Sequence, residues 1–129
     1  MNVAMGGTLH QKIHSVPDMM DHREDSTLDL DGQYGFAHKI SITPHGILDQ
    51  ISDDKKPWVN SVHWQGINQL GNGLTVEATS QDGLVESFSV TDSPSFALAV
   101  QWHPEWKVMK TPFYKSIFEK FGDACITHG

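Results

Sequence analysis

The 129-residue sequence holds a single cysteine, Cys125, so no intramolecular disulfide can form. That shortage fits a reducing compartment and excludes the staples of small secreted domains. Long apolar runs are missing, and with them any membrane-span candidate; no charged-then-apolar leader is present either. Positive charge is scarce, with 9 Lys and Arg against 16 Asp and Glu for a formal net charge of −7. No basic cluster interrupts the acidic surface, which excludes nucleic acid and anionic membranes as expected partners. A cytoplasmic location is the expectation. No repeat, low-complexity tract or linker divides residues 1–129, which read as part of a single domain.

What is present is ordinary globular composition, 38% hydrophobic and 19% charged, with eight histidines. Met1 to Gly7 reads as the last turns of a helix closed by Gly6-Gly7, the remainder of which is expected upstream. Ser15 to Tyr34 reads as a long polar surface loop with one helical turn, and its run His22-Arg23-Glu24-Asp25 as a solvated charge cluster. Between His38 and Thr43, Ile40 and Ile42 alternate with polar residues, predicting a half-buried strand stopped at Pro44. His45-Gly46 turns the chain into one helical turn from Ile47, and Trp58 to His63 is a short strand ending in polar groups.

Leu74, Val76 and Ala78 alternate with polar residues, Asp82-Gly83 turns, and Leu84, Glu86, Phe88 and Val90 alternate on the way back. This is a β-hairpin. Phe96 to Val100 is apolar on both faces and suits a strand buried between two layers, as in a parallel α/β sheet. Thr111 as N-cap and Pro112 at the first position open a last helix, with Phe113, Ile117 and Phe121 on one stripe. Cys125 lies beside that stripe and is expected to be buried and inert.

The expected α/β architecture delivers His103-Pro104-Glu105 directly after the buried strand, where such sheets place their chemistry. A histidine keeps a thiol nucleophile deprotonated and returns the proton to the leaving amine, and a carboxylate fixes the histidine's tautomer. Two residues apart in extended chain, both side chains point the same way. His10 and His14 have the spacing of a helical metal pair, but Gly6-Gly7 has just ended a helix and no third ligand is recognisable. Neither a metal nor any other cofactor is expected. Trp102 and Trp106 flank the motif as pocket wall or plain packing.

Asn2 to Gln11, Val59-Asn60-Ser61-Val62-His63, Asp82 to Glu86 and Phe96 to Trp106 together resemble the class I glutamine amidotransferase-like peptidases, peptidase C26, in the gamma-glutamyl hydrolase branch of putrescine catabolism. The resemblance runs over nearly the whole chain. It implies the C-terminal part of a flavodoxin-like fold, with the β-hairpin and a C-terminal helix, and hydrolysis of a small gamma-glutamyl amide through a cysteine thioester. His103 would be the base and acid and Glu105 its orienter, while Asn60, Ser61, His63 and Gln65 would line the gamma-glutamyl pocket. The family's nucleophile lies just upstream of the Asn2-Val3-Ala4 segment, so the chain alone is expected to be inactive. Two alternatives stand beside the hydrolase: a pseudoenzyme or interaction partner whose exposed sheet edge pairs with another chain, self-association included, and the glutaminase domain of an amidotransferase.

Overall fold

The computed structural model describes all residues except Ser26, Trp64, Lys107 and Gly129, and only the backbone of Thr127 and His128. Its centre is a five-stranded sheet in the order β3 (Trp58–Val59), β2 (His38–Ile42), β5 (Leu74–Ser80), β6 (Val85–Val90) and β7 (Leu98–Val100). β2 (His38–Ile42) alternates as its sequence requires, with His38, Ile40 and Ile42 buried and Lys39 and Ser41 exposed. Beyond Pro44 the chain turns at His45, whose φ of +70° is left-handed, into α2 (Ile47–Ile51). The buried Glu77 carboxylate accepts the Leu48 N–H at 3.0 Å and so caps that short helix.

β5 (Leu74–Ser80) and β6 (Val85–Val90) form the expected hairpin, in register at Val76–Phe88 and Thr79–Val85. Gly83 takes a left-handed φ of +85°, and Asp82 Oδ1 accepts the Leu84 N–H at 3.2 Å to close the turn. β3 (Trp58–Val59) pairs with β2 at one end of the sheet. A separate antiparallel ribbon joins β1 (Thr8–His10) to β4 (Gly66–Gln69). Gly66 lets that ribbon close on the hairpin, because a Cβ there would stand 2.5 Å from Ile13 Cδ1 and 3.1 Å from Leu84 Cδ1.

The core lies between the sheet and the helices, built from Ile40, Ile42, Leu48, Val59, Ala78, Trp102, Tyr114 and Ile117. Tyr114 and Ile117 come from the first half of α3 (Pro112–His128). Past Ile117 the helix outruns the core: Phe118 and Phe121 are exposed, and so is Cys125, against the expectation of a buried thiol. Among the described residues no helix is long and apolar enough to cross a membrane.

Two further expectations need correction. β7 (Leu98–Val100) pairs antiparallel with β6, forms the other end of the sheet and is half-buried rather than buried between layers. Its second edge has no strand partner among the described residues, so its apolar faces are only partly covered. The long loop does contain one helical turn, α1 (Leu30–Gln33), capped by Asp29 accepting the Gly32 N–H at 2.8 Å. His22 within that loop, however, is fully buried and not part of a solvated cluster. At the N-terminus, Val3–Met5 is a 3-10 turn closed at Gly6, whose φ of +89° supplies the left-handed stop.

Candidate active site

β7 runs into the turn that carries His103 and Glu105, and Gln101 fastens the start of that turn by donating to the Glu86 carbonyl at 2.8 Å. His103 Nδ1 lies 2.8 Å from Glu105 Oε1, so the carboxylate occupies one ring nitrogen and leaves Nε2 for proton transfer. Both side chains are accessible, that of His103 at 39%. The ring of Tyr34 stands edge-on to His103 at 5.6 Å and stacks on Trp106 at 4.8 Å. A cleft of about 200 Å³ opens beside them, lined by Tyr34, Phe36, Trp106 and Tyr114. Trp102 is instead core packing, 5.8 Å from the ring of Phe113.

Asn60 fixes the backbone of this turn. Its Oδ1 accepts the His103 N–H at 2.7 Å, and its Nδ2 donates to the His103 carbonyl at 2.9 Å. Its own backbone N–H donates to the Tyr114 hydroxyl oxygen at 2.9 Å. Burial pushes the Tyr114 phenol up to about 12, partly offset by that N–H, with Glu105 adding in the same direction as burial. The Asn60 amide thus clamps the His103 turn to the strand end beside it, and the Asn60 backbone N–H ties that strand end, through Tyr114, to α3.

The other residues read as pocket-lining are placed as follows. Ser61 is buried and donates to the His22 carbonyl at 2.7 Å. His63 is buried with Nδ1 2.8 Å from the Gln65 carbonyl. Gln65 is exposed and donates to Gln11 Oε1 at 2.7 Å. His10 ends β1 and His14 sits in the Ile13–Ser15 turn, so the two do not share a helix.

Behind the motif lies a group of ionisable residues that the motifs did not bring together. Glu86, 2% exposed, meets His38 Nε2 at 3.3 Å and His22 Nδ1 at 3.4 Å through Oε1, and His63 Nε2 at 3.8 Å through Oε2. On its far side His22 Nε2 is 2.7 Å from Asp82 Oδ2. The rings of His22 and His63 stack at 4.9 Å, and His38 meets His22 edge-on at 5.1 Å.

Burial alone would lift the Glu86 carboxyl and depress His38, but each overrides it in the other: Glu86 is lowered by His38 and His63, and His38 is raised by Glu86 and the Lys39 carbonyl. Asp82 is brought down to about 2 against burial, by Ser80, His22 and the backbone N–H groups of Met20 and Leu84. The signal for part of this cluster was in the alternation itself. His38 is in phase with Ile40 and Ile42, and Glu86 falls between Leu84 and Phe88, so both sit where apolar residues are expected. His22, His38 and Glu86 each offer a donor atom within 4.8 Å of the others, a spacing able to hold a metal ion.

The sequence matches known proteins over nearly its whole length. The family model described as Peptidase C26 matches residues 1–105. The gamma-glutamyl-gamma-aminobutyrate hydrolase PuuD of Escherichia coli K12 is 42% identical over 127 residues, which cover 98% of this chain and 50% of that protein. A Lactococcus lactis protein provisionally named glutamine amidotransferase-like protein YvdE is 36% identical over 98% of this chain and 50% of its own length. The chain therefore spans about half the length of the curated relatives it matches. A crystal structure from Thermoplasma acidophilum, provisionally assigned as a GMP synthase subunit, superposes with a TM-score of 0.65 at 19% identity, covering 98% of this chain and 52% of that one. That last likeness is one of fold.

Proposed function

Because the chain belongs to the peptidase C26 family, we propose that it carries the acid–base part of a cysteine-dependent hydrolase acting on small gamma-glutamyl amides, gamma-glutamyl-gamma-aminobutyrate among them. The observation that supports this most is the 2.8 Å bond between His103 Nδ1 and Glu105 Oε1 at the end of β7. Glu105 holds the tautomer with its proton on Nδ1, so Nε2 is free to take a thiol proton. The thiolate attacks the amide carbonyl, the carbon–nitrogen bond breaks, and the His103 proton leaves with the amine. Water, deprotonated by the same Nε2, then opens the thioester to glutamate and free thiol.

In this reading the thiol comes from sequence outside these 129 residues. Cys125 sits in the exposed latter half of α3, away from the half that packs beneath the His103 turn. Asn60 acts by positioning His103, and Gln65, exposed just before β4, is the better placed of the remaining polar groups to meet a substrate.

The test is a comparison of two proteins: the 129-residue chain and the product of the longest reading frame that contains it. The longer protein should release amine from gamma-glutamyl-gamma-aminobutyrate and lose this with His103→Ala, while the chain alone should release none. Turnover of the longer protein that survives His103→Ala overturns the assignment. Preference for glutamine over the gamma-glutamyl amine would make it a glutaminase.

A second reading has its own observation. The half-buried strand Leu98–Val100 leaves an edge open, flanked by clefts of about 200 and 290 Å³ that reach Met1 and Phe121. Such an edge invites another strand, and the occupant that fits is the remainder of a relatives-length sheet. With that remainder absent, self-association is expected, and a concentration-independent monomer on size-exclusion chromatography would count against it.

A further inference from the structure

The three buried histidines behind the His103 turn share one arrangement. Each ring has one nitrogen committed to an acceptor: His22 Nε2 to Asp82 at 2.7 Å, His38 Nδ1 to the Lys39 carbonyl at 3.1 Å, and His63 Nδ1 to the Gln65 carbonyl at 2.8 Å. A carbonyl or carboxylate oxygen only accepts, so the committed nitrogen carries the proton and a neutral ring keeps a bare lone pair on the other. Those other nitrogens all face the Glu86 carboxylate, at 3.4, 3.3 and 3.8 Å, and His22 Nδ1 also lies 3.3 Å from Ser61 Oγ, which donates to the His22 carbonyl. His38 Nε2, His63 Nε2 and Glu86 Oε1 form no aligned hydrogen bond among the described residues. Lone pairs turned toward a carboxylate, with water shut out, call for positive charge between them.

We propose that His22 Nδ1, His38 Nε2 and Glu86 Oε1 ligate a divalent transition metal of the zinc type; His63 Nε2, 3.8 Å from the second carboxylate oxygen, stands outside that triad and would have to move to become a fourth donor. Two of the three donor–donor edges suit the ion, and the two histidine nitrogens lie within 4.8 Å of each other. Metal–ligand bonds of about 2.0–2.1 Å in a tetrahedron give donor–donor edges of roughly 3.3–3.4 Å, and the two Glu86 Oε1 edges measure 3.3 and 3.4 Å. Imidazole nitrogens with a single carboxylate select zinc-class ions over magnesium or calcium, which demand more oxygen. The charge also closes, since Glu86 and Asp82 together balance a dication among neutral rings. The outward bonds of the three histidines are those that orient metal-bound imidazoles elsewhere.

The ion would be structural, with the donors and His63 0–8% exposed. It would tie the His22 loop to the hairpin directly behind the candidate active site. The Glu86 carbonyl accepts from Gln101, the His22 carbonyl accepts from Ser61 Oγ and His63 N–H, and Asn60 beside Ser61 clamps His103.

Binding requires no hydrolysis, so it is tested on the 129-residue chain itself. The chain is stripped with a chelator and titrated with Zn²⁺ against a chromophoric competitor, then with Co²⁺ for its visible spectrum. One ion per chain should bind, with the intense visible bands of tetrahedral cobalt. His38→Ala and Glu86→Gln should weaken binding a hundredfold or more, and Asp82→Asn about ten- to a hundredfold. His103→Ala should leave it unchanged. Absence of stoichiometric binding by the unsubstituted chain overturns the proposal, and protons on the imidazoles then hold the cluster. Loss of binding in His103→Ala, or none in Glu86→Gln, overturns it equally by placing the ion elsewhere; the cobalt spectrum of the unsubstituted chain decides should a variant fail to fold.

Discussion

Two histidine–carboxylate groups lie close together in this chain and have opposite character. His103 and Glu105 share one direct bond of 2.8 Å at an accessible turn. His22, His38 and His63 surround Glu86 at 3.3–3.8 Å where water is excluded. A general base must gain and lose a proton at little cost, which solvent contact permits. A buried cluster resists any change of charge, because each uncompensated group carries its full desolvation penalty. The first group is suited to chemistry, the second to holding its surroundings still.

The widest separation between them should appear in turnover. In a protein that includes the thiol-bearing part of the fold, His103→Ala should lower kcat about a millionfold, as removal of the base does in a serine protease triad. Glu105→Gln should cost about ten-thousandfold by the same analogy, through the wrong tautomer. Neither should shift stability by more than about 0.5 kcal/mol, because both side chains face solvent. A stability loss of several kcal/mol in His103→Ala would erase the contrast.

Glu86→Ala is the complementary change. It strands three histidines around an unbalanced pocket and should destabilise the chain by about 3–5 kcal/mol, read by denaturant unfolding. A loss below about 1 kcal/mol would mean that the cluster holds nothing.

The same two regions show what sequence carried. His103-Pro104-Glu105 was legible because the partners are two residues apart and follow an apolar strand, so local geometry alone brings them together. The hairpin and β2 were legible for a like reason, from alternation and the Asp82-Gly83 turn. The cluster was not, because His22, His38, His63 and Glu86 come from a loop, a strand, the segment between β3 and β4, and the hairpin, joined only by tertiary packing. His22 misled most: its neighbours Arg23 and Glu24 are polar, and the Arg23–Asp21 pair is indeed at the surface. Nothing local distinguishes the one residue whose ring turns inward. β7 was misplaced because an apolar run specifies that both faces can be covered, not that both are. Cys125 fell to the same reasoning, since helical periodicity continues past the point where the core ends.

Asn60 joins the two regions and offers a smaller effect. Asn60→Ala leaves the His103 N–H and carbonyl without the partners they have at 2.7 and 2.9 Å. Two lost bonds to part-buried groups should cost about 2–3 kcal/mol. Turnover should fall as well through a displaced His103, although Asn60 touches no reacting atom. A kcat unchanged at full stability would show that the clamp does not position the base.

The smallest expected effect is alkaline and belongs to Tyr114, which anchors the clamp from α3. Its phenol is pushed up to about 12 by burial, so the folded chain resists a proton loss that the unfolded chain undergoes near 10. For an acid whose folded pKa is raised, stability is complete below the unfolded value and is lost as pH climbs from about 10 toward 12. With screening allowed for, the loss should reach about 1–2 kcal/mol. The sequence contains two tyrosines, Tyr34 and Tyr114. In Tyr34→Phe the near-ultraviolet tyrosinate signal therefore belongs to Tyr114 alone. Ionisation near 10 in the folded chain would show the hydroxyl open to water and the α3 end of the clamp undone, whereas a delayed rise that coincides with unfolding keeps the buried anchor in place beneath an exposed base.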